Sequence, residues 1–341
     1  MLPATFALYL SLFPAAAPAG GGAVDPSTIA DLYRHSLAVA EETRQKVPGT
    51  SKPTFDLGRV HQRFGHDEEA VKLYREGLRM DPRHPEVLSR IGFMLSQSGR
   101  SSMDEALEAY REALRWDPQI ENVHTRIGLI LVHQGRHAEA VEEFRAEIHN
   151  RTADSLTYTV LGHALRDLKR FPQALQSYQE ALRLNPEERG AHYGLAQVYQ
   201  LLGRTGEEAA AREEFKRLKA REDQDSKEAL IRGGNRPEEL RRAALTYLDA
   251  AGTYLEAEKL DEAERCARAA VSFDPELEAA QRLLLDLFRR AGRADEAIAF
   301  AREVLAGKRT PRMLYHLAGL VLARGSAAEA AGLLEEAIRL G

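Results

Sequence analysis

The stretch YREALRWDP, residues 110–118, is repeated in altered form as YREGLRMDP at 74–82 and as YQEALRLNP at 178–186. Around these copies runs a column of glycines, and an alanine column and an aromatic column recur at the same intervals. The three columns are Gly58, Gly92, Gly128 and Gly162; Ala70, Ala106, Ala140 and Ala174; and Tyr74, Tyr110, Phe144 and Tyr178. They predict a repeated structural unit of about 34 residues.

Each unit is predicted to contain two helices. In the first copy, a first helix is expected to end at Gly65, and Asp67 can cap a second one. Gly58 and Ala70 are expected to be small because the two antiparallel helices approach closely there. Pro82 is expected to end the second helix. One pair cannot bury its apolar face alone, so the pairs must stack.

The composition favours helices throughout. Ala, Leu, Glu and Arg dominate the chain, and alternating runs of Val, Ile and Thr are missing. A formal net charge of -5 over 341 residues excludes a global basic surface for nucleic acid or anionic lipid. The single cysteine, Cys266, excludes an internal disulfide and a cysteine zinc site, and it is expected to be buried.

The repeated pattern of Leu-Gly, Gly, Ala, Tyr, Ala and Pro resembles the tetratricopeptide repeat (TPR) family. Five units begin near residues 51, 85, 121, 155 and 189, and three more begin near 244, 278 and 311. The resemblance implies an all-α, right-handed superhelical solenoid of antiparallel helix pairs. It also implies a concave surface lined by the first helix of each unit.

The units predict a domain organisation with a break between two arrays. Five repeats are expected in 51–218 and three in 244–341, with a charged helix and a hinge in 219–243, where Gly-Gly-Asn-Arg-Pro occurs. Residues 20–50 are expected to form a linker and a helix that covers the first repeat. The third repeat carries Glu147, Asn150 and Thr152 in place of small, aliphatic and proline residues, which predicts a looser joint with the fourth repeat.

The segment 1–19 resembles a signal peptide. An apolar run, Phe6 to Phe13, precedes Ala17-Pro18-Ala19, which has the small-x-small form of a cleavage site, but no basic residue precedes the run. The pattern predicts export, to the periplasm or outside the cell, with a cytoplasmic location as the alternative. The run is too short to span a bilayer as a helix, which needs about 20 residues.

No motif predicts catalysis, a cofactor or a metal. Neither a phosphate-binding loop nor a GxSxG elbow occurs. His133 and His137 are close in sequence, but Gly135 between them predicts a turn, so they are not expected to share a helical face. Asn150-Arg151-Thr152 matches a glycosylation sequon only as a short pattern. Trp116 occupies the same position as Met80 and Leu184, and this apolar column is expected to seal one repeat against the next.

The remaining candidate site is the groove that the resemblance implies. The first-helix positions that are not used for packing concentrate Arg and aromatic residues, which can bind carboxylates and apolar groups. These positions are Lys52, Phe55, Arg59, Arg63, Arg90, Phe93, Arg126, Leu129, His163, Arg166, Tyr193 and Gln197.

These positions predict a non-catalytic scaffold that binds a protein or peptide segment with acidic and apolar residues. An alternative is a regulatory or substrate-recognition subunit of an enzyme system whose catalytic domain is on another chain. Family members that clamp the terminal carboxylate of chaperone tails use Lys and Asn at fixed first-helix positions, where this chain has Phe55 and Arg59. A co-chaperone role is therefore not expected.

Overall fold

The computed structural model describes residues 29–231 and 236–340, so the signal peptide predicted in residues 1–19 lies outside it. All regular elements in these residues are helical, as the composition predicts. A single 3-10 turn, Arg100–Ser102, fills the place where the second repeat is longer than the first. The remaining elements are α-helices that form antiparallel pairs.

Seventeen α-helices follow one another along the described residues, numbered here α1 to α17. In chain order they are Ile29–Lys46, Lys52–Arg63, Asp67–Met80, Pro85–Gln97, Met103–Trp116, Val123–His133, His137–His149, Ser155–Asp167, Phe171–Leu184, Arg189–Leu201, Thr205–Ile231, Arg236–Glu256, Leu260–Phe273, Glu278–Arg290, Ala294–Gly307, Pro311–Ala323 and Ala327–Leu340.

Close approach within each pair explains the three sequence columns. The ring of Tyr74 on α3 lies against Gly58 on α2, where an added Cβ would be only 2.7 Å from Tyr74 Cε1. The same contact recurs between Gly162 and Tyr178, where the distance would be 2.5 Å. Members of the alanine and aromatic columns are fully buried. The expectation that the glycines are small because the helices approach closely is confirmed, and the ring over each glycine is the reason.

The turns also follow the sequence. Gly65 has φ = +81°, a left-handed conformation that glycine adopts without a steric penalty, and it separates α2 from α3. After the second helices, the Asp or Asn before proline accepts a hydrogen bond from a backbone N–H further along the turn, as in Asp117 Oδ1 with Gln119 N (2.9 Å) and Asn185 Oδ1 with Glu187 N (3.1 Å). These side-chain turns lead the chain into the next pair.

Trp116 departs from its predicted role as an inter-repeat seal. It is 44% exposed, and its column mates Met80 and Leu184 are 50% and 44% exposed. Each is the last residue of its helix and lies next to a solvent-facing turn. One turn earlier, Ala113 and Ala181 are fully buried. The prediction was wrong because the buried face ends one turn before the helix does.

The predicted loose joint after the third repeat is also wrong. Glu147 on α7 is fully buried. Its carboxylate accepts hydrogen bonds from the backbone N–H of Asn122 (2.9 Å) and of Thr125 (3.2 Å), and from the hydroxyl of Thr152. The hydroxyls of Thr125 and Thr157 also meet at 2.9 Å between α6 and α8. Polar contacts replace the apolar packing that the sequence lacks here.

The described helices form two compact units. The continuous unit contains residues 81–231, that is, α4 to α11. The discontinuous unit contains residues 29–80 together with 236–340, that is, α1 to α3 and α12 to α17. The sequence instead grouped the first repeat with the four that follow it, in an array spanning 51–218.

Helix α1 explains part of this grouping. It packs on α2, as predicted, and also on α12. Its Arg44 pairs with Glu76 of α3 at 2.5 Å, whereas its Glu42 accepts from Arg265 of α13 at 3.2 Å. Because α1 contacts both the N-terminal pair and the C-terminal helices, it joins two segments that are distant in sequence.

Candidate functional site

The predicted groove residues fall into two groups. Lys52, Phe55, Arg59 and Arg63 lie on α2 in the discontinuous unit. The others lie on the first helices of the continuous unit, namely α4, α6, α8 and α10. We call the second group the first-helix face; it consists of Arg90, Phe93, Arg126, Leu129, His163, Arg166, Tyr193 and Gln197.

The polar face of α2 is covered by α12. Thr253 donates a hydrogen bond to Asp56 Oδ2 at 2.5 Å, and the ammonium of Lys52 pairs with Glu256 one turn away. In the other direction along α2, Arg59 Nε lies 3.2 Å from Asp249 Oδ2.

Arg63 completes this contact at the end of α2. Its guanidinium lies 2.6 Å from Asp249 Oδ2 and 3.3 Å from the Thr246 hydroxyl. As the residue numbers increase along α2, those of the partners on α12 decrease, so the two helices run antiparallel. We call this row of contacts the polar seam; its members are Lys52, Asp56, Arg59, Arg63, Thr246, Asp249, Thr253 and Glu256.

Phe55 is a core residue and not an open groove residue. It is only 4% exposed, and its ring fills the space beside Gly77 on α3. This position of the pair is therefore used for packing, which corrects the assignment of Phe55 to a binding surface. Lys52, Arg59 and Arg63 are likewise engaged within the unit by α12. The first repeat thus uses its candidate binding residues for its own fold.

The first-helix face remains accessible in the continuous unit. Phe93 on α4 is 38% exposed and Leu129 on α6 is 39% exposed. The guanidinium carbon of Arg126 lies 4.6 Å from the centroid of the Phe93 ring. Among the described residues, no carboxylate pairs with Arg126. Arg90, one turn before Phe93, is exposed as well.

The other end of this face is more polar and more internally paired. Arg166 on α8 pairs with Asp167 at 2.7 Å and donates to the side chain of Gln197 on α10. The imidazole of His163 lies 5.5 Å from the ring of Tyr178, and burial together with the nearby charge of Arg166 lowers its pKa. Tyr193 is 46% exposed and contacts Phe215 of α11.

Two features escaped the sequence reasoning. Leu156, near the start of α8, is 45% exposed. The second feature is a polar stripe on α12. Its hydroxyl and acidic side chains recur at helical spacing among apolar residues, at positions 246, 249, 253 and 256, and this spacing is visible in the sequence. Their partner on α2 has no local signal, because it lies about 190 residues earlier.

His133, His137 and Cys266 are placed as the sequence predicts. His133 ends α6 and His137 begins α7, with Gly135 at φ = +77° between them. Cys266 is 3% exposed, and burial raises the pKa of its thiol to about 12. The side-chain amide of Asn150 in the sequon donates to the carbonyl of Pro118 at 3.1 Å. Over residues 29–231 and 236–340, no three His, Cys, Asp or Glu side chains are placed to hold a metal ion.

Family models match four stretches of this helical architecture. Models described as "Tetratricopeptide repeat" match residues 55–86, 96–155 and 248–311, and one described as "TPR repeat" matches 162–203. The chain belongs to the tetratricopeptide repeat family. Its repeats support a role as a protein–protein interaction scaffold, since proteins of this type bind protein or peptide partners and are typically not enzymes.

Several solved structures of TPR proteins are similar to this chain. MamA from Desulfovibrio magneticus RS-1 is 23% identical, with a TM-score of 0.44 over 51% of this chain and 96% of its own. PilW, described as a type IV pilus biogenesis factor, is 16% identical, with a TM-score of 0.44 over 69% and 98%. YrrB, described as having an unusual peptide-binding site, is 16% identical, with a TM-score of 0.40 over 62% and 97%.

No curated protein sequence is significantly similar to the chain. Within the described residues, no helix combines the length and the apolar character that crossing a bilayer requires.

Proposed function

We propose that the first-helix face of the continuous unit binds a protein or peptide segment that carries acidic and apolar residues. The observation that carries this proposal is the pair formed by Arg126 and Phe93. The guanidinium lies over the ring at 4.6 Å without a carboxylate partner among the described residues. It is therefore held in place by an uncharged ring, and its positive charge remains available for the carboxylate of a partner.

The apolar part of the partner is inferred from the neighbours of this pair. Phe93 and Leu129 are each more than a third exposed, at 38% and 39%. Aromatic and Arg side chains that become desolvated on binding supply most of the affinity at protein interfaces. A segment with an acidic residue next to an apolar one would meet both requirements on α4 and α6.

The polar seam supplies an internal example of this chemistry. On α2, Arg59 and Arg63 both contact the carboxylate of Asp249. First-helix arginines of this chain are thus able to bind a carboxylate that a helix presents. Arg126 of the first-helix face has no such contact in the described part of the chain, so it is a candidate for an external acidic partner.

The experiment compares the binding of full-length variants to an array of peptides that combine Asp or Glu with Leu or Phe. Arg126→Glu and Phe93→Ala are each expected to weaken binding to the retained peptides at least tenfold, about 1.4 kcal/mol. Arg145→Glu is the matched control, because Arg145 is a second-helix arginine that is 48% exposed and already paired with Glu142.

Circular dichroism would establish that all three variants are folded. If folded Arg126→Glu and Phe93→Ala proteins bind the same peptides as tightly as the wild type does, the first-helix face is not the binding surface. Arg59 is unsuitable for this test, because its replacement would also break the polar seam.

A further inference from the structure

The polar seam contains an almost fully buried carboxylate. Asp56 is 3% exposed, whereas the side chains of its neighbours Arg59 and Asp249 are 26% and 22% exposed. The Asp56 carboxylate pairs with Arg59 on its own helix and accepts from Thr253 on α12. Asp249 competes for the same guanidinium, since Arg59 Nε also reaches Asp249 Oδ2 at 3.2 Å. Two carboxylates therefore share one arginine where water has little access.

The charges of the seam balance only when every group is ionised. Lys52, Arg59 and Arg63 contribute three positive charges, and Asp56, Asp249 and Glu256 contribute three negative ones. Arg63 and Lys52 are directed to Asp249 and Glu256, at the two sides of Asp56. Asp56 is thus the acid with the least solvent and with only a shared cation, so it is the group whose ionisation is most costly.

Within the described part of the chain, the other elements around the seam bring no further cation to Asp56. On α1, Arg44 pairs with Glu76, and Lys46 pairs with Glu42 at 3.0 Å. On α3, the hydroxyl of Tyr74 donates to Gln62 at 2.9 Å, and Tyr74 interacts with Arg59.

We propose that the polar seam takes up a proton at Asp56 under mildly acidic conditions, and that this uptake strengthens the attachment of α2 to α12. The contribution of Asp56 thus holds the N-terminal repeat of the discontinuous unit more firmly to its C-terminal helices at pH 5 than at pH 7. The neutral carboxyl keeps its hydrogen-bonding partners and no longer competes with Asp249 for Arg59.

The titration of Asp56 supports the direction of this effect. Burial raises the pKa of its carboxyl from 3.8 to about 6, Arg59 opposes the rise and Asp249 adds to it. The pKa of 3.8 applies to the unfolded chain and that of about 6 to the folded chain. Below pH 3.8 the carboxyl is therefore protonated in both states. Between the two values only the folded chain holds the proton, so the contribution of Asp56 to stability is lost as the pH rises through about 6.

Histidines of the same unit act in the opposite direction. Burial lowers the pKa of His35 and of His61, so acidification favours the unfolded chain at these sites. The effect of Asp56 must therefore be measured against a variant that keeps both histidines. Asp56→Asn meets this requirement, because it leaves the rest of the seam and the histidines in place.

The test is hydrogen–deuterium exchange of the full chain, read in peptides that cover residues 52–63 and 246–256. The protection factor of the wild type, divided by that of Asp56→Asn at the same pH, is expected to rise about tenfold from pH 7 to pH 5. Glu329→Gln is the matched control: Glu329 of the same unit also pairs with an arginine, Arg302, but its side chain is 44% exposed, so its ratio should stay constant.

A ratio for Asp56→Asn that does not change with pH would overturn the proposal. If Asp56→Asn fails to fold, Thr253→Val provides the second measurement. Loss of the hydroxyl that donates to the ionised carboxylate should move the pH-dependent gain in protection to higher pH. An unshifted profile in a folded Thr253→Val protein would also contradict the proposal.

Discussion

At the residue scale, a single glycine in the first helix of a pair makes room for an aromatic ring of the second helix. In the first pair the ring of Tyr74 occupies the volume that a side chain at residue 58 would need. The ring belongs to a fully buried residue, so it has no free space into which to move. Glycine is therefore needed in this column because an aromatic side chain of the second helix excludes any side chain there. An unusual backbone conformation is not the reason.

A pair of Gly→Ala substitutions tests this explanation. Gly58→Ala should destabilise the discontinuous unit by about 1–3 kcal/mol through overpacking against Tyr74. Gly319→Ala, in the same unit, should stabilise it by about 0.5–1 kcal/mol, because α16 gains helix propensity and nothing lies within 4 Å of the new Cβ. Chemical denaturation followed by circular dichroism measures both. Equal effects of the two substitutions would show that the ring does not exclude a side chain.

At the scale of elements, α6 depends on a carboxylate from another helix. Its N-terminus has no capping side chain of its own, since Asn122 at the cap position makes no side-chain cap hydrogen bond. Glu147 of α7 accepts from the backbone N–H of Asn122 and of Thr125 instead. A buried acid on the second helix thus satisfies backbone donors of the first that have no partner within their own helix, and the negative charge also suits the positive end of the helix dipole.

Glu147→Ala is expected to destabilise the continuous unit by about 1–3 kcal/mol, because it leaves buried backbone donors without an acceptor. Glu142→Ala, on the same helix, is the control. The Glu142 side chain is 71% exposed in an ion pair with Arg145, so its loss should change the stability by less than about 0.5 kcal/mol. Thermal unfolding of both variants would decide the point, and a Glu147→Ala protein as stable as Glu142→Ala would exclude the capping role.

At the scale of the whole molecule, the chain is organised as two compact units, one of which is built from both ends of the described sequence. The discontinuous unit depends on α1 and on the polar seam, which join segments about 190 residues apart. Contacts of such sequence separation form slowly, because their formation must overcome the entropy cost of closing a long loop. The continuous unit contains consecutive pairs only.

This organisation predicts that damage to the seam stays local to one unit. Asp249→Ala leaves Arg59 and Arg63 without their shared carboxylate and should cost the discontinuous unit about 2 kcal/mol. Hydrogen–deuterium exchange should show loss of protection in peptides from 52–80 and 236–340, while peptides from 85–201 keep theirs. Loss of protection of similar size in both sets would mean that the chain unfolds as one cooperative body.

The helix pairs could be predicted from the sequence because their contacts join residues that are close in sequence. Within a pair, a glycine and its aromatic partner are separated by only half a repeat in the sequence, as for Gly58 with Tyr74 and Gly92 with Tyr110. The helical period, the small residues and the prolines therefore all act within a single repeat. Because the first four units repeat this contact, their period and their small and aromatic residues determined the fold class and the family.

The tertiary structure decided which candidate binding residues are available. Nothing near Arg59 or Arg63 in the sequence shows that α12 will cover them, because their partner Asp249 is 190 and 186 residues away. Likewise, the exposure of Trp116 depends on where the buried face of its helix ends. The sequence by itself thus determined the repeated helix pair, whose contacts are local. Only the tertiary structure determined that the first repeat uses its basic face within the protein while Arg126 and Phe93 remain at the surface.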